Sequence, residues 1–571
     1  MKKTKSLLFA IACILSLAVS AQERSETEML SIAQSKLNIV SAKAMTPGQA
    51  NETAVQKLES GDTYNIYGAN EQGFVIISKD KRFAPVLAYS NSNYSKDRMP
   101  CGFKLWLAAV NNAMSSTDGI TDMQKTTSFN GGSVESFVKT QWGQGSPYND
   151  KAPKDGGQET PSGCVATAMA QVLKYYQYPT QGKGSGYYTV GASTTRVPQA
   201  ISSVYDWENM TNTYGVTSTD VQKEAVATLM NDAAVATHMN FASSGSGAIS
   251  SDAALGFATN FSYDSLSMHF YNRDYYTDDE WNDMMYSELA QQKPIFFAAS
   301  DKQYGGHAYV LDGYDSDGKV HVNWGWDGTA DGYYDLNAMN PTGILGYNMT
   351  YAFNYNQRML VGMKCQEQPD ADESYMSQIV GDSIFTCISQ MRRSLNVGVD
   401  AIYNMSFLTF RGTVSVYVEN TETGEIAFKQ ELFNTSSASV GPLASNYGWG
   451  LGSKFFMMSS IKEGTYKVYL VSQAIQEDTP QMVRYPGGQY YYIIEVASDG
   501  KITISDAQQP TTGIRNLTTS DSNSDANVRV FDATGRLIHS ANAATFNIDN
   551  VPSRGLLIIK QGASVKKIMK K

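Results

Sequence analysis

Cysteine and histidine are scarce in this chain: its 571 residues hold five of each. The cysteines are Cys13, Cys101, Cys164, Cys365 and Cys387, an odd and scattered set that excludes an even disulfide framework. If Cys13 leaves with a signal peptide and Cys101 with a pro-segment, Cys365 and Cys387 are left to pair and Cys164 remains a thiol. The alternative is that all are reduced and buried. Charge is also sparse, at 18% of residues with a net −10, so there is no basic footprint for nucleic acid. Only the extreme C-terminus is basic, through Lys566, Lys567, Lys570 and Lys571. Beyond the N-terminus no apolar run reaches transmembrane length. Two acidic fragments, Asp315-Ser316-Asp317-Gly318 and Asp327 to Gly332, lack the distal Glu of a calcium loop and read as turns. Nothing in the sequence calls for a metal or a cofactor.

What is abundant is tyrosine (35) and glycine (47), the mark of Tyr-rich strands joined by tight turns. The length implies several domains. Residues 1 to 21 read as a secretory signal: Lys2, Lys3 and Lys5, an apolar run from Leu7 to Val19, then Val19-Ser20-Ala21 before the cut. Residues 22 to about 130 form a small α+β unit, with a helix from Glu26 to Leu37 capped by Ser25 and strands at Gly73–Ser78 and Pro85–Tyr89. The polar stretch from Ser115 to Ser133 reads as a nickable linker, which makes the unit before it a candidate pro-segment.

From about 134 to 364 helices come first (Cys164 onward, Asp220–Ala236, Asp278–Gln291), and strands follow at 294–298, 307–311, 320–324 and 332–336. That order is α+β with two lobes, and the cleft between lobes is the place for a site. Residues 365 to about 510 alternate at period two in runs such as Gly412–Val418 and Gly464–Leu470, a β-sandwich signature. A Ser/Asn/Asp-rich linker at about 517 to 527 precedes a short β module.

The chemistry centres on Cys164. Pro161 and Gly163 deliver it to the start of a helix whose Ala166, Met169, Ala170 and Leu173 mark one face for burial. Unpaired N–H groups and the helix dipole there favour a thiolate, though a small buried cysteine fits the same pattern. A cysteine nucleophile needs a histidine as base and acid. His307 is singled out by elimination. It follows Gly305-Gly306, where a substrate backbone can approach, and it opens a strand. His238 ends a helix, His269 reads as packing, His321 as packing or facing solvent, and His539 lies in the terminal module. Asn323 offers a carbonyl acceptor to hold the imidazole, shielded by Trp324 and Trp326. An oxyanion needs donors, supplied by the Cys164 N–H and by an upstream amide, Gln144 with Gln141 as its rival.

Four ordered motifs carry a resemblance: Gln144-Gly145-Ser146-Pro147-Tyr148-Asn149, Gly163-Cys164 through Gln171, Gly305-Gly306-His307-Ala308, and Val322-Asn323-Trp324-Gly325-Trp326-Asp327-Gly328. Together the chain resembles the streptopain-like, papain-clan secreted bacterial cysteine peptidases. The resemblance implies Cys164 as nucleophile, His307 as base, Gln144 in the oxyanion hole and Asn323 orienting the histidine. It also implies that Ser243 and Gly245, in a loop bordering the cleft, contact substrate together with Gly305, Gly306 and Trp324. Fold class follows as α+β: an inhibitory α+β propeptide at 22–133, a two-lobed papain-like domain at 134–364, a β-sandwich at 365–510 and a linker with a small C-terminal β domain at 511–571. The partners implied are protein or peptide substrates and the chain's own propeptide. Val530 to Arg536 is similar to the C-terminal sorting domains of type IX secretion cargo, which adds that machinery as a partner and implies export through a Gram-negative periplasm.

Rival classes remain open at this level. The protein is read alternatively as a surface adhesin with a secondary or degenerate peptidase domain. A further alternative is another papain-type acyl transfer, such as transglutamination or cell-wall amide hydrolysis.

Overall fold

The computed structural model describes residues 23–44, 55–69, 73–115, 132–301, 305–336, 356–366, 376–437, 440–510, 527–532, 537–542, 555–561 and 564–570. The segment read as a signal peptide, most of both linkers and the turn 533–536 of the terminal module lie outside the described residues. No described helix is long and apolar enough to cross a membrane. The chain divides into two compact units, residues 1–262 with 289–357 and residues 263–288 with 358–571.

The first unit begins with helix α1 (Glu26–Ala44), whose Glu28 N–H is capped by Ser25 Oγ at 3.2 Å. It runs seven residues past the predicted end at Leu37. Strands β1 (Gln56–Ser60), β2 (Tyr64–Ala69), β3 (Gly73–Ser78) and β4 (Val86–Ser90) follow, then helix α2 (Cys101–Ser115). β3 is buried along its whole length because both faces are covered. Its alternate residues Val75 and Ile77 join Met29, Ala33 and Leu37 of α1, while Phe74 meets Phe103 of α2 edge-on at 5.9 Å.

Further on come helices α3 (Cys164–Tyr176), α4 (Asp220–Ala236) and α5 (Ser250–Thr259), and strands β5 (Ile295–Asp301), β6 (Gly305–Tyr314), β7 (Val320–Asn323) and β8 (Gly332–Tyr334). α4 starts with a full capping box between Thr219 and Gln222. A small sheet joins Val197–Ala200, Ser185–Val190 and Asn240–Phe241. In the main sheet the strands run β1-β2-β3-β4-β8-β7-β6-β5, every pair antiparallel. The N-terminal segment and the later strands therefore share one sheet, joined where Tyr89 of β4 pairs with Tyr333 of β8.

α3 is the core of this unit. Val165 to Leu173 are all buried, because β5 and β6 pack against the helix on one side and α4 and α5 on others. Periodicity predicts a single buried face; the small residues Ala166, Ala168 and Ala170 let neighbours close in all round.

In the second unit, His269–Asn272 pairs antiparallel with Arg358–Val361. Arg484 holds Glu280 through two nitrogens, at 3.1 and 3.0 Å. Two six-stranded sheets form a sandwich between Ile379 and Ile504. Its core interleaves Leu395, Val397 and Val399 of one sheet with Val414, Val416, Val418, Val468 and Leu470 of the other. All four cysteines in the described residues are thiols, so the pairing of Cys365 with Cys387 is not formed. Cys387 points into the sandwich core, where burial pushes its thiol up to about 12. The chain ends in a four-stranded antiparallel sheet of Asn527–Asp532, Leu537–Asn542, Gly555–Gln561 and Ser564–Lys570.

Candidate active site

Cys164 is the first residue of α3. The turn before it is glycine-specific on two counts. Gly163 has φ +90°, and a Cβ there would lie 2.7 Å from Met239 Sδ and 3.3 Å from Ser246 O. The same contact puts the loop containing Ser243 and Gly245 beside the cysteine. Ser243 itself bonds Asp155 Oδ2 through its N–H and Oγ, at 3.1 and 3.2 Å. Gly245 (φ +141°) borders open space.

His307 stands on β6 and is 3% exposed. Its Nε2 lies 2.9 Å from the carbonyl oxygen of Trp324, which only accepts, so Nε2 carries the proton there. Nδ1 is thereby left for sulfur, and the imidazole acts on the Cys164 thiol. Burial alone would push the Cys164 thiol up. The His307 charge, its hydrogen bond, and the N–H groups of Ala308 and Val165 outweigh that and bring it down. For His307, burial works downward; the Cys164 charge, and the donation of the protonated ring to the sulfurs of Cys101 and Cys164, carry it well above the usual imidazole range. The arrangement favours a thiolate–imidazolium pair at neutral pH. Gly305 (φ +78°), two residues before His307 on the same strand, opens onto free space, while a Cβ on Gly306 would sit 3.3 Å from Ser300 Cβ.

The Gln144 loop is tied to the nucleophile turn, since Ser162 N–H donates to Gln144 O at 3.0 Å. Gln144 Nε2 is buried and has no hydrogen-bond partner. Gln141, the rival, is exposed and lies against Gly328. Asn323 is placed differently from the expectation. Its Oδ1 accepts from Gln171 Nε2 (3.0 Å) and Gly325 N–H (3.1 Å), and its Nδ2 donates to Thr140 O (2.6 Å). It buckles α3 to β7, and the carbonyl that holds His307 belongs to the next residue. Trp324 is fully buried against Tyr309 and Tyr334, at centroid distances of 4.8 and 5.1 Å. As a substrate contact it is covered in this form of the chain. The half-buried Trp326 meets His307 edge-on at 6.2 Å.

Several participants carry no sequence signal. Asp331 Oδ1 accepts the Trp324 N–H at 2.8 Å, and burial pushes that carboxyl up to about 7. His321 Nδ1 lies 2.5 Å from the fully buried Asp312, whose other oxygen accepts Val138 N–H. Asp315 spends one oxygen on the N–H groups of Asp317 and Lys319, as a turn residue does. The least foreseen is Cys101, the first residue of α2, with Sγ 3.1 Å from His307 Nδ1. Next to it, a Cβ on Gly102 would come within 2.3 Å of His307 Cδ2 and 2.7 Å of Trp324 Cε3. Only glycine lets α2 sit on the imidazole this closely.

Residues 142–334 match the peptidase C10 family and residues 21–114 the Spi protease inhibitor family. The chain is similar to streptopain of Streptococcus pyogenes, with 32% identity over 332 residues, 53% of this chain and 81% of streptopain. It is 28% identical over 368 residues to the thiol protease/hemagglutinin PrtT of Porphyromonas gingivalis, covering 61% of this chain and 41% of PrtT. Among solved structures, a prointerpain A fragment of Prevotella intermedia is 33% identical, with a TM-score of 0.48, over 54% of this chain and 98% of the fragment. The chain belongs to the peptidase C10 family: it is a streptopain-like cysteine endopeptidase made with a propeptide.

Proposed function

We propose that the protein is a secreted endopeptidase, held latent by residues 22–133 and acting through Cys164 and His307. In this reading the Cys164 thiolate attacks the carbonyl carbon of a peptide bond. Gln144 Nε2 and the Cys164 N–H receive the oxyanion. His307 then gives its Nδ1 proton to the leaving amine, and water, deprotonated by the same nitrogen, hydrolyses the acyl-enzyme. The Trp324 carbonyl keeps Nδ1 aimed at sulfur throughout, with Asn323 fixing the strand behind it. The carrying observation is the packing of α3, which Cys164 opens, against β6, which holds His307, with one group displaced down and the other up by the charge of its neighbour. Gly305 and Gly306, with the 243–247 loop, flank the scissile bond, and Trp324 joins them once the propeptide leaves. Residues 134–364 form the peptidase domain and 365–510 the sandwich. The signal at 1–21 exports the chain to the periplasm, and 511–571 direct it through type IX secretion to the surface or medium. Cys164→Ala abolishes casein cleavage and, with self-maturation, halts loss of the propeptide; full proteolysis by that variant ends the proposal.

One observation favours an added binding role for the sandwich. Strand Gly448–Met457 and its approach expose Tyr447, Trp449, Phe455 and Met457. Full-length Cys164→Ala binding immobilised matrix proteins or erythrocyte glycans, with loss in Trp449→Ala, supports it; no binding removes it.

A further inference from the structure

Cys101 belongs to the propeptide and takes no part in peptide hydrolysis, yet its sulfur sits 3.1 Å from the nitrogen that hydrolysis uses. We propose that Cys101 and Cys164 are a thiol pair that closes to a disulfide in the zymogen, with a small-molecule disulfide of the glutathione or cystine class as oxidant. The proposal rests on the reading of Cys164 as nucleophile and of the N-terminal unit as propeptide.

The argument is one of convergence. Cys101 Sγ lies 3.1 Å from His307 Nδ1, and the charges of both sulfurs act on that same ring. The ring's Nε2 is committed to the Trp324 carbonyl, so the sulfurs gather around what remains. Each is held by a rigid element. Cys164 opens a fully packed helix, and Cys101 opens α2, whose next residue is pressed onto His307 and Trp324. Cys101 is exposed, so a small disulfide has access. The lowered thiol of Cys164 supplies the attacking thiolate, and the raised His307 the proton store. Cys387, by contrast, is buried in the sandwich core with its thiol pushed up, and is slow to react.

The steps balance. The Cys164 thiolate attacks R–S–S–R; the new bond is Cys164–S–S–R, and RS⁻ leaves as RSH with the His307 proton. Neutral His307 Nδ1 then takes the Cys101 proton. The Cys101 thiolate attacks the Cys164 sulfur, the bond to R breaks, and the second RS⁻ collects that proton. Two protein thiols are oxidised and one external disulfide is reduced to two thiols. The product has no nucleophile and has its inhibitor tied on, so a reductant must act before maturation.

The test uses full-length zymogen incubated with oxidised glutathione, quenched with iodoacetamide and digested with trypsin without reduction. The expected product is a disulfide-linked pair of Met99–Lys104 and Asp155–Lys174, lacking two hydrogens relative to the separate peptides and carrying no glutathione. Self-processing stops and resumes on addition of dithiothreitol. Cys101→Ser zymogen instead carries glutathione on Cys164. Wild type that shows a glutathione adduct on Cys164 with Cys101 alkylated overturns the proposal, as does alkylation of both thiols. Casein cleavage by the mature enzyme in reductant distinguishes this failure from failure of the peptidase reading, because Cys101 is absent from the mature form.

Discussion

A buried amide donor with no partner costs roughly 1–3 kcal/mol, so Gln144 Nε2 carries a penalty that the fold alone does not repay. An oxyanion arriving in the transition state repays it. Gln144→Ala in the mature enzyme therefore lowers kcat by about 10²–10³ with little change in KM. Its melting temperature stays level or rises, since an orphan donor is gone. Steady-state kinetics on a fluorogenic peptide and a melting curve check both halves; a loss confined to KM sinks the assignment.

Asp331 makes a second residue-scale prediction. Its folded pKa of about 7 stands above the ordinary carboxylate value of about 3.9. Between those values the folded state holds the extra proton. Its stabilisation is full below pH 4 and lost as pH rises through 7. Asp331→Asn keeps an oxygen for the Trp324 N–H and removes the titration. The wild-type minus variant stability thus falls from pH 4.5 to 7.5, where 1 kcal/mol corresponds to about 2–4 °C of melting temperature. A flat difference curve refutes the role. These cases also mark what a sequence can reveal. Cys164, His307 and Gln144 could be proposed from sequence because their side-chain types are rare or their flanks are glycine-rich. The carbonyl that holds His307 could not, since every residue has one. Asn323 was drawn to that role by its side chain, and the backbone beside it does the holding.

Secondary structure was largely legible because apolar spacing and capping residues set it locally. Ser25 caps the helix that its position suggests, and β3 and β6 cover the residues read as strands. What escaped was the burial of α3 on all sides and the place of α2. The start of α2 rests on His307 only through a contact 205 positions away from Gly102, 307 − 102 = 205, and no local pattern encodes that. The contact is testable because it is steric. Gly102→Val puts carbon where His307 Cδ2 and the Trp324 ring already are, so the first turn of α2 must lift. Full-length Gly102→Val matures faster than wild type in reductant, and Gly102→Ala falls between them. Mature enzyme from all three is identical in kcat/KM, because residue 102 has been removed. Unchanged maturation in both variants shows that α2 does not hold the site closed.

At the scale of the molecule, the propeptide is less a separate cap than part of the peptidase's own sheet. β4 completes the edge of β8, and Tyr89 stacks on Tyr333 at 5.1 Å while its hydroxyl donates to Asp315 at 2.9 Å. Lys36 adds long ion pairs of 3.8 and 3.9 Å to Asp315 and Asp317. Magnitudes decide which of these holds the propeptide on. An aromatic pair gives about 0.5–1.5 kcal/mol beyond its buried area, and a hydrogen bond to a charged group about 1.5–3. The Lys36 ammonium is largely covered and lies 3.8 Å from the Tyr89 ring centroid; of its acidic partners only Asp317 is exposed, and that long pair, worth about 0–1 kcal/mol, is the part salt screens. Added in trans to the mature enzyme, residues 22–133 should inhibit and stabilise it, raising its stability by about 2.7 kcal/mol at a hundredfold excess over Kd. Tyr89→Ala then weakens inhibition by more than about tenfold, since 1.4 kcal/mol is already a factor of ten. Lys36→Ala weakens it by less than Tyr89→Ala does, and only the share due to the exposed Asp317 is lost in 1 M salt as the Debye length falls to about 3 Å, while the contact over the Tyr89 ring persists. Inhibition constants at low and high salt separate the two contributions. Should Lys36→Ala prove as damaging as Tyr89→Ala, the shared sheet is not what binds the propeptide.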